Sequence, residues 1–320
     1  MIKKLKNKIK KVGFFGTVKL IFDKVKRFLH IEFTFLYRKK NFTNNEWKKY
    51  WKAYNYIKHK YLKKVINLEK KTGTGTYSNK IWWCWLQGEE KCPALQKECL
   101  KSIRKNLHDR DIIIITNDNL YEYIELPDYI KDKHKKGIIS DTHFSDLIRL
   151  ELLIKYGGTW IDSTAYCTGY DKDLFDKPLF VYKNLNNLWF SNKHNFDEEP
   201  IIADNWFITS EIGNPILIAV RDLLFDYWKR YNYLVDYFIF HYFFTLVVNY
   251  KYRTEFDSII LKSHLVPHLL QYECFKKYDK TKINMIINES PFHKLTHKVD
   301  INSISDNCFY NILVNHRLDK

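Results

Sequence analysis

Apolar residues recur three or four positions apart in two stretches near the N-terminus, a spacing that places them on one face of a helix. In residues 1–45 they alternate with lysines, which predicts a basic amphipathic helical segment interrupted near Gly13 and Gly16. In residues 46–77 an aromatic helical stretch is followed by a Thr-Gly repeat, which is typical of a linker. We therefore expect the main domain to occupy residues 78–320.

The main domain begins with an apolar run, a helical stretch and a second apolar run. Residues 81–87 and 111–116 are short and strongly apolar, as buried strands are. Between them Pro93 precedes apolar residues at helical spacing. Strand, helix and strand in this order predict a parallel strand pair within an α/β sheet. Ligands of such sheets bind beyond the carboxyl ends of the strands, which makes Gln87 a candidate binding residue.

A third periodic stretch ends at a pair of glycines. Ser145 or Thr142 can cap this helix, which runs to about Tyr156, and the Gly-Gly pair that follows supplies a C-terminal break. Residues 159–162 then form a short strand. The predicted fold class is α/β, with a mainly parallel sheet behind an N-terminal helical region.

Three charged residues of this stretch lie where a ligand site is expected. Asp146 and Arg149 are three positions apart on the helix, and Asp162 ends the short strand that follows. An ion pair on a solvated face is the simpler interpretation of the helical pair. The same three groups also suit a site in which carboxylates hold hydroxyls and a guanidinium holds a diphosphate.

Several protein classes lack sequence support. The chain has neither GxGxxG nor GxxxxGK[ST], the phosphate-binding patterns of dinucleotide oxidoreductases and P-loop NTPases. The apolar run 233–250 contains Asp236 and His241, so it predicts a buried helix rather than a bilayer span, with both residues structural. Lysines interrupt every apolar run of a possible signal peptide. The six cysteines show no zinc-like spacing, and we expect free thiols in a reducing cytoplasm.

The net charge of +16 is unevenly distributed. Residues 1–40 carry thirteen basic and two acidic residues, a net of +11, which leaves +5 for the other 280 residues. A basic amphipathic segment of this kind can lie on an anionic membrane surface. The alternative is a solvated lysine-rich helix packed on the domain. We expect peripheral association with the inner face of the plasma membrane.

The segment from Ser145 to Asp162 resembles the sDxxRxxxLxxyGGxyxD signature of bacterial capsular polysaccharide synthesis proteins, which are GT-A glycosyltransferases related to glycosyltransferase family 32. Residues 81–88, 204–215, 236–242 and 290–298 resemble further blocks of that family, in the same order. The resemblance covers roughly residues 80–300. It implies a Rossmann-like, nucleotide-sugar-binding GT-A domain and a hexosyltransferase-like enzyme that retains anomeric configuration.

The resemblance also implies roles for individual residues. Asp146 would contact hydroxyls of the donor sugar, and Arg149 would bridge sugar and diphosphate. Asp162 matches the first aspartate of the family's Asp-x-Asp motif, which contacts ribose and helps to hold Mn²⁺ or Mg²⁺. Thr164 stands at the second aspartate and is a much weaker metal ligand. We therefore leave open whether a divalent cation is bound.

Two arrangements of charge around the diphosphate remain open. Asp162 and Asp204 can together complete a weak metal site and act as the catalytic carboxylates. Alternatively His293 and Lys294, as a lid near the C-terminus, supply the positive charge directly. Asn205 would assist donor binding, although residues 204–205 can also be a polar turn before a strand.

The function predicted from the sequence is transfer of a sugar from a nucleotide-sugar to a hydroxyl of a lipid-linked saccharide, during capsular or surface-polysaccharide synthesis. A non-catalytic scaffold of a polysaccharide assembly complex is the alternative suggested by Thr164. A nucleic-acid-binding protein is a weaker alternative, because residues 41–320 carry little of the positive charge. We expect no nucleic-acid partner.

Overall fold

A computed structural model describes residues 16–18, 45–184, 199–296 and 307–315. Its centre is a five-stranded sheet with the strand order β2-β1-β3-β6-β5. A second sheet pairs β4 with β7. The strands are β1 Lys80–Cys84, β2 Asp111–Ile115, β3 Gly158–Ile161, β4 Ala165–Cys167, β5 Leu179–Lys183, β6 Ala203–Ser210 and β7 Phe292–Lys294.

Helices cover the central sheet and extend beyond it. They are α1 Asn45–Ile66, α2 Ala94–Asn106, α3 Leu120–Tyr123, α4 Asp128–Lys135, α5 Asp141–Tyr156, α6 Pro215–Arg230, α7 Ile239–Lys251, α8 Arg253–Asp257, α9 Leu265–Glu273, α10 Lys280–Glu289 and α11 Phe309–Val314. Most of the buried apolar residues form one core on the central sheet. A smaller apolar cluster lies between α2, α9, α10 and α11.

The predicted strand–helix–strand unit is present. β1 and β2 pair in parallel, with Ile81 opposite Ile112 and Cys84 opposite Ile115. Pro93 precedes the first turn of α2, as its fixed backbone angle allows. β1 also pairs in parallel with β3, which places the carboxyl ends of β1 and β3 at one edge of the sheet.

The α/β class is confirmed, but the sheet is mixed. β6 runs antiparallel to both of its neighbours, β3 and β5, whereas the other four strands share one direction. The sheet is therefore mostly parallel in strand direction, with two of its four pairings antiparallel. No helix crossover connects β5 and β6, so the connectivity that favours parallel pairing is missing there.

The cap of α5 also differs from the prediction. Ser140, not Thr142 or Ser145, caps the helix, and its hydroxyl accepts a hydrogen bond from the His143 backbone N–H. Thr142 and Ser145 instead lie within the first turns. The end of the helix is as predicted, because Gly157 follows Tyr156 with a positive φ of 65°.

The aromatic helix α1 shares the core of the main domain. Tyr61 meets Phe243 of α7 edge-on, with ring centroids 4.9 Å apart, and both side chains are buried. Apart from residues 16–18 and 45, the basic N-terminal segment predicted for residues 1–45 lies outside the described residues.

The apolar run 233–250 contains α7, a predominantly buried helix, as predicted. Within the part of the chain that is described, no helix is long and apolar enough to cross a membrane. The six cysteines are all described and form no disulfide.

Candidate active site

A cavity of about 530 Å³ opens at the edge of the sheet where β1 and β3 end. The loop after β1 lines one wall, through Trp85 and Gln87, and the first turns of α5 line another. This is where parallel α/β sheets bind ligands, because the strands end there and the loops can diverge. Gln87 is exposed at this edge, as expected for a residue that could reach a ligand.

Arg149 is the central charged group of the cavity. Its guanidinium donates to Asp146 Oδ1 at 2.6 Å and to Asp162 Oδ1 at 3.0 Å. It also lies over the ring of Trp160, 4.7 Å from the centroid. Arg149 is only 2% exposed and Asp146 only 6%, so the solvated ion pair considered from the sequence is excluded.

Asp162 directly follows β3 and accepts hydrogen bonds at both carboxylate oxygens. Oδ1 also accepts from the Trp160 indole at 2.8 Å, and Oδ2 accepts from Lys294 at 2.7 Å. Burial by itself raises the pKa of Asp162, but Lys294 and Arg149 together hold it below its ordinary value. Asp162 is therefore ionised at neutral pH.

Lys294 reaches Asp162 because the small sheet places it there. Ala165 of β4 is opposite Lys294 of β7, so the ammonium group extends over the loop between β3 and β4. It donates to Asp162 Oδ2 and also to Thr164 Oγ1, each at 2.7 Å. The lysine is thus a neighbour of the donor-site carboxylate across 132 positions of the sequence.

These contacts test whether Asp162 and Thr164 fit a divalent cation. A metal bound there would need free oxygens on both residues, but the Lys294 ammonium already bridges Asp162 Oδ2 and Thr164 Oγ1. The other Asp162 oxygen is taken by Arg149 and Trp160. The residues of this motif therefore do not fit a metal ion, and the positive charge at this point is that of Lys294.

Asp146 has a different environment from Asp162. Burial raises its pKa, in opposition to the effect of Arg149. Its Oδ1 atom also accepts a hydrogen bond from the Asn205 amide at 2.9 Å. Asn205 lies in strand β6 rather than in a polar turn, and it lines the cavity together with Asp146.

The structure does not bring His293 to the cavity. His293 is fully buried in β7, where its Nε2 atom lies 3.2 Å from the Thr168 hydroxyl. Burial lowers its pKa to about 4, so the ring is neutral at neutral pH. The expectation that His293 acts with Lys294 as a cationic lid is therefore wrong. The alternation of a β-strand explains the difference, since neighbouring side chains point to opposite faces.

Asp204 is likewise separate from the cavity that Asp162 lines. Its Oδ1 atom lies 3.6 Å from His264 Nδ1, and its Oδ2 atom lies 4.0 Å from His268 Nδ1. Burial alone raises its pKa, yet these histidines hold the pKa below the ordinary value. The shared metal site suggested for Asp162 and Asp204 is not formed.

Several residues that line the cavity were not among the sequence candidates. Trp85, Tyr237 and His241 add aromatic surface to its walls. His241 had been interpreted as structural, and burial lowers its pKa to about 4. Asp236 is structural as expected, because it accepts a hydrogen bond from the buried Tyr242 hydroxyl. The one available sequence signal was the four-residue spacing of His264 and His268, which places both on one helix face.

The fold and the cavity define an α/β protein with two cations and two carboxylates at the ligand-binding edge of its sheet. The family model of capsular polysaccharide synthesis proteins matches residues 31–313 of the chain. The protein therefore belongs to the capsular polysaccharide synthesis protein family.

Two further similarities are weaker. A UPF0200 protein of Methanocaldococcus jannaschii is 27% identical over 146 residues, which are 45% of this chain and 66% of that protein. The match thus spans just under two thirds of that relative. A solved structure described as PaToxG glycosyltransferase aligns with a TM-score of 0.36 and 13% identity, over 62% of this chain and 76% of that chain. A likeness this low carries no argument about fold or activity.

Proposed function

We propose that the protein is a glycosyltransferase of capsular polysaccharide synthesis, which moves a sugar from a nucleotide-sugar donor to a hydroxyl of a saccharide acceptor. The observation that carries the proposal is the buried Arg149 guanidinium held between Asp146 and Asp162, with Lys294 on the far side of Asp162. These groups line a cavity at the ligand-binding edge of an α/β sheet. Family membership supports the same assignment.

The charges divide naturally between the two parts of a nucleotide-sugar. Arg149 and Lys294 are the cations that would stabilise the diphosphate as it departs, since charge developing in a partly buried site is stabilised strongly by fixed groups. Asp146 and Asp162 are acceptors for hydroxyls of the sugar and ribose. Asn205, which already contacts Asp146, offers an amide to the same hydroxyls.

Aromatic side chains would complete the binding surface. Trp85 and Tyr237 line the cavity, and faces of pyranose rings pack against aromatic rings through their CH groups. Gln87 lies at the open end, within the wall formed after β1. A hexose donor, retention of configuration and the GT-A arrangement belong to the proposal on the basis of the sequence resemblance.

The acceptor would be a lipid-linked saccharide at the inner face of the plasma membrane. The charge of the first 40 residues supports this part of the proposal, because a net +11 favours an anionic surface. Peripheral attachment would hold the cavity near an acceptor that is itself embedded in the bilayer.

Release of nucleotide from a panel of UDP-, GDP-, dTDP- and CMP-sugars tests the proposal. Arg149→Ala and Asp162→Asn should lower the rate with the active donor by about 10²–10³, the usual cost of losing one charge-stabilising group. Circular dichroism and thermal unfolding would establish that both variants still fold.

Asp171→Asn is the matched control. Asp171 pairs with Lys262 at 3.0 Å and its side chain is 25% exposed, close to the 24% of Asp162, but it does not line the cavity. This variant should keep the wild-type rate. Full activity in both site variants would contradict the proposal, and absence of binding to every donor would favour the scaffold function.

A further inference from the structure

A second cluster of ligating side chains lies beside the cavity. Asp204, His264 and His268 each offer one ligand atom, and these atoms all lie within 4.8 Å of one another. We propose that this Asp-His-His cluster binds one divalent transition-metal ion. The proposed site is distinct from Asp162 and Thr164, where Lys294 occupies the position between the two oxygens.

The separations of the cluster suit a metal ion. Bonds of about 2.1 Å from a tetrahedral ion to nitrogen or oxygen place the ligand atoms about 3.4 Å apart. His264 Nδ1 and Asp204 Oδ1 are 3.6 Å apart. All three side chains are partly buried or buried at their carboxylate and imidazole ends, with side-chain exposures of 12%, 16% and 20%. Small side-chain movements would therefore bring the three ligands onto one ion.

The groups around the cluster orient it as the outer partners of metal ligands do. The Trp206 indole donates to Asp204 Oδ2 at 2.8 Å, which fixes the carboxylate. His268 Nδ1 donates to the His264 carbonyl oxygen at 2.7 Å, so the lone pair of the neutral ring is on Nε2. A histidine whose other nitrogen donates to a backbone carbonyl is the usual form of a metal ligand.

The fold brings the ligands together from two elements. Asp204 is the second residue of β6, while His264 precedes α9 and His268 lies one turn into it. The chain is held at this point by the His264 backbone N–H, which donates to the Lys183 carbonyl at 3.0 Å. The ligands therefore rest on a strand and a helix rather than on one loop.

The chemistry of the ligands favours certain metals. Two imidazoles and one carboxylate suit Zn²⁺, Fe²⁺, Co²⁺ or Mn²⁺, whereas Mg²⁺ and Ca²⁺ prefer oxygen ligands alone. Three protein ligands leave a coordination position for water or for an oxygen of a bound molecule. Asp204 is adjacent in sequence to Asn205, which lines the cavity, so the ion would lie next to the proposed donor site.

Metal binding by the full-length protein tests this inference without reference to transferase activity. After removal of metal with a chelator, equilibrium dialysis against Zn²⁺ alone and Mn²⁺ alone should give one ion per chain above the level bound by the variants. His264→Ala and His268→Ala should each lose that ion. Co²⁺ should give visible absorption bands with the wild-type protein that both variants lack.

Two further variants separate coordination from a general effect on folding. His134→Ala is the matched control, because His134 pairs with Asp141 at 2.8 Å without belonging to the cluster, and it should retain the ion. Trp206→Phe should weaken binding by about 10-fold or more while keeping the stoichiometry, as loss of an outer hydrogen bond does. Thermal unfolding of His268→Gln would establish that a ligand variant is folded.

The inference would be overturned by either of two results. One is the absence of saturable binding of Zn²⁺, Mn²⁺ and Co²⁺ by the wild-type protein. The other is an ion that persists in both His264→Ala and His268→Ala, since it would then be held elsewhere. Neither result bears on the proposed transferase function, whose test uses Arg149 and Asp162.

Discussion

At the scale of single residues, two carboxylates beside one guanidinium have opposite properties. Asp146 and Asp162 both accept hydrogen bonds from Arg149, but only Asp162 also contacts the second cation, Lys294. The pKa of Asp162 is therefore lowered, whereas burial raises that of Asp146. Asp162 keeps its negative charge to lower pH, and Asp146 is the first of the pair to accept a proton.

Two buried histidines make the stability of the protein depend on pH. Burial lowers the pKa of His241 and of His293 from 6.5 to about 4, so the folded state binds fewer protons than the unfolded state between these values. The free energy of unfolding is then fully favourable above pH 6.5 and decreases as the pH falls towards 4. Each histidine should account for a loss of roughly 3 kcal/mol across this interval.

Denaturant unfolding at several pH values between 6.5 and 4 would measure this dependence. His293→Gln should flatten it by the contribution of one histidine, whatever the variant's absolute stability. His59→Gln, on the exposed face of α1, should leave the dependence unchanged. An unchanged slope in His293→Gln would show that His293 titrates normally in the folded protein.

The sequence predicted some of these residues and not their surroundings. The spacing of Asp146 and Arg149, and the position of Asp162 after a short strand, were sufficient to place the three together. Their burial was not predictable, because it depends on α7 and on the small sheet. Lys294 was a candidate from resemblance alone, and only the pairing of β4 with β7 explains how it reaches Asp162.

At the scale of secondary-structure elements, the Gly157-Gly158 pair sets the position of the site. Gly158 has a φ of +89°, and a Cβ atom there would lie 2.4 Å from the Lys80 carbonyl oxygen of β1. The close approach of β3 to β1 thus requires glycine. Because Asp162 directly follows β3, this approach determines where its carboxylate lies.

Gly158→Ala should therefore disturb both folding and the site. The positive φ alone costs about 1–2 kcal/mol for alanine, and the clash with backbone of β1 adds to this. Gly75→Ala is the matched control, since Gly75 has a φ of +69° with nothing within 4 Å of an added Cβ. Chemical denaturation should show the larger loss for Gly158→Ala, together with weakened donor binding. Equal losses in the two variants would mean that contact with β1 is unimportant.

Element types followed from the sequence more readily than strand direction. The apolar runs after residue 80 predicted β1, α2, β2, α5 and β3 because each lies in an almost continuous pattern. The reversal of β6 could not be predicted in the same way, since it depends on which sheet edge the strand joins. The position of Asp204 beside α9, instead of beside Asp162, is a consequence of that tertiary arrangement.

At the scale of the whole molecule, charge is segregated from the folded domain. Residues 1–40 carry +11 of the total +16, and the remaining 280 residues carry +5. Few cations are thus left in the domain for general attraction of anions, and donor recognition would depend on individually placed groups such as Arg149 and Lys294. The N-terminal charge is available for a different partner, an anionic surface.

Binding to lipid vesicles would test this division of charge. The variant in which six N-terminal lysines are replaced by glutamine should lose binding to vesicles that contain phosphatidylserine, because each lysine near such a surface contributes about 1 kcal/mol. These lysines are Lys3, Lys4, Lys6, Lys8, Lys10 and Lys11. A control that replaces six exposed lysines of the domain has the same net charge, and it should bind as the wild-type protein does. Its lysines are Lys97, Lys105, Lys135, Lys136, Lys277 and Lys280.

Co-sedimentation over a range of salt concentrations distinguishes the outcomes. The wild-type protein and the domain control should lose binding steeply as salt increases, since charges at the surface are screened over about 10 Å at 0.1 M salt. The N-terminal variant should show little binding at any salt concentration. Equal weakening in both variants would mean that total charge, rather than its position in the chain, governs association. That result would remove the support for an inner-membrane location, because the argument depends on segregation of the charge.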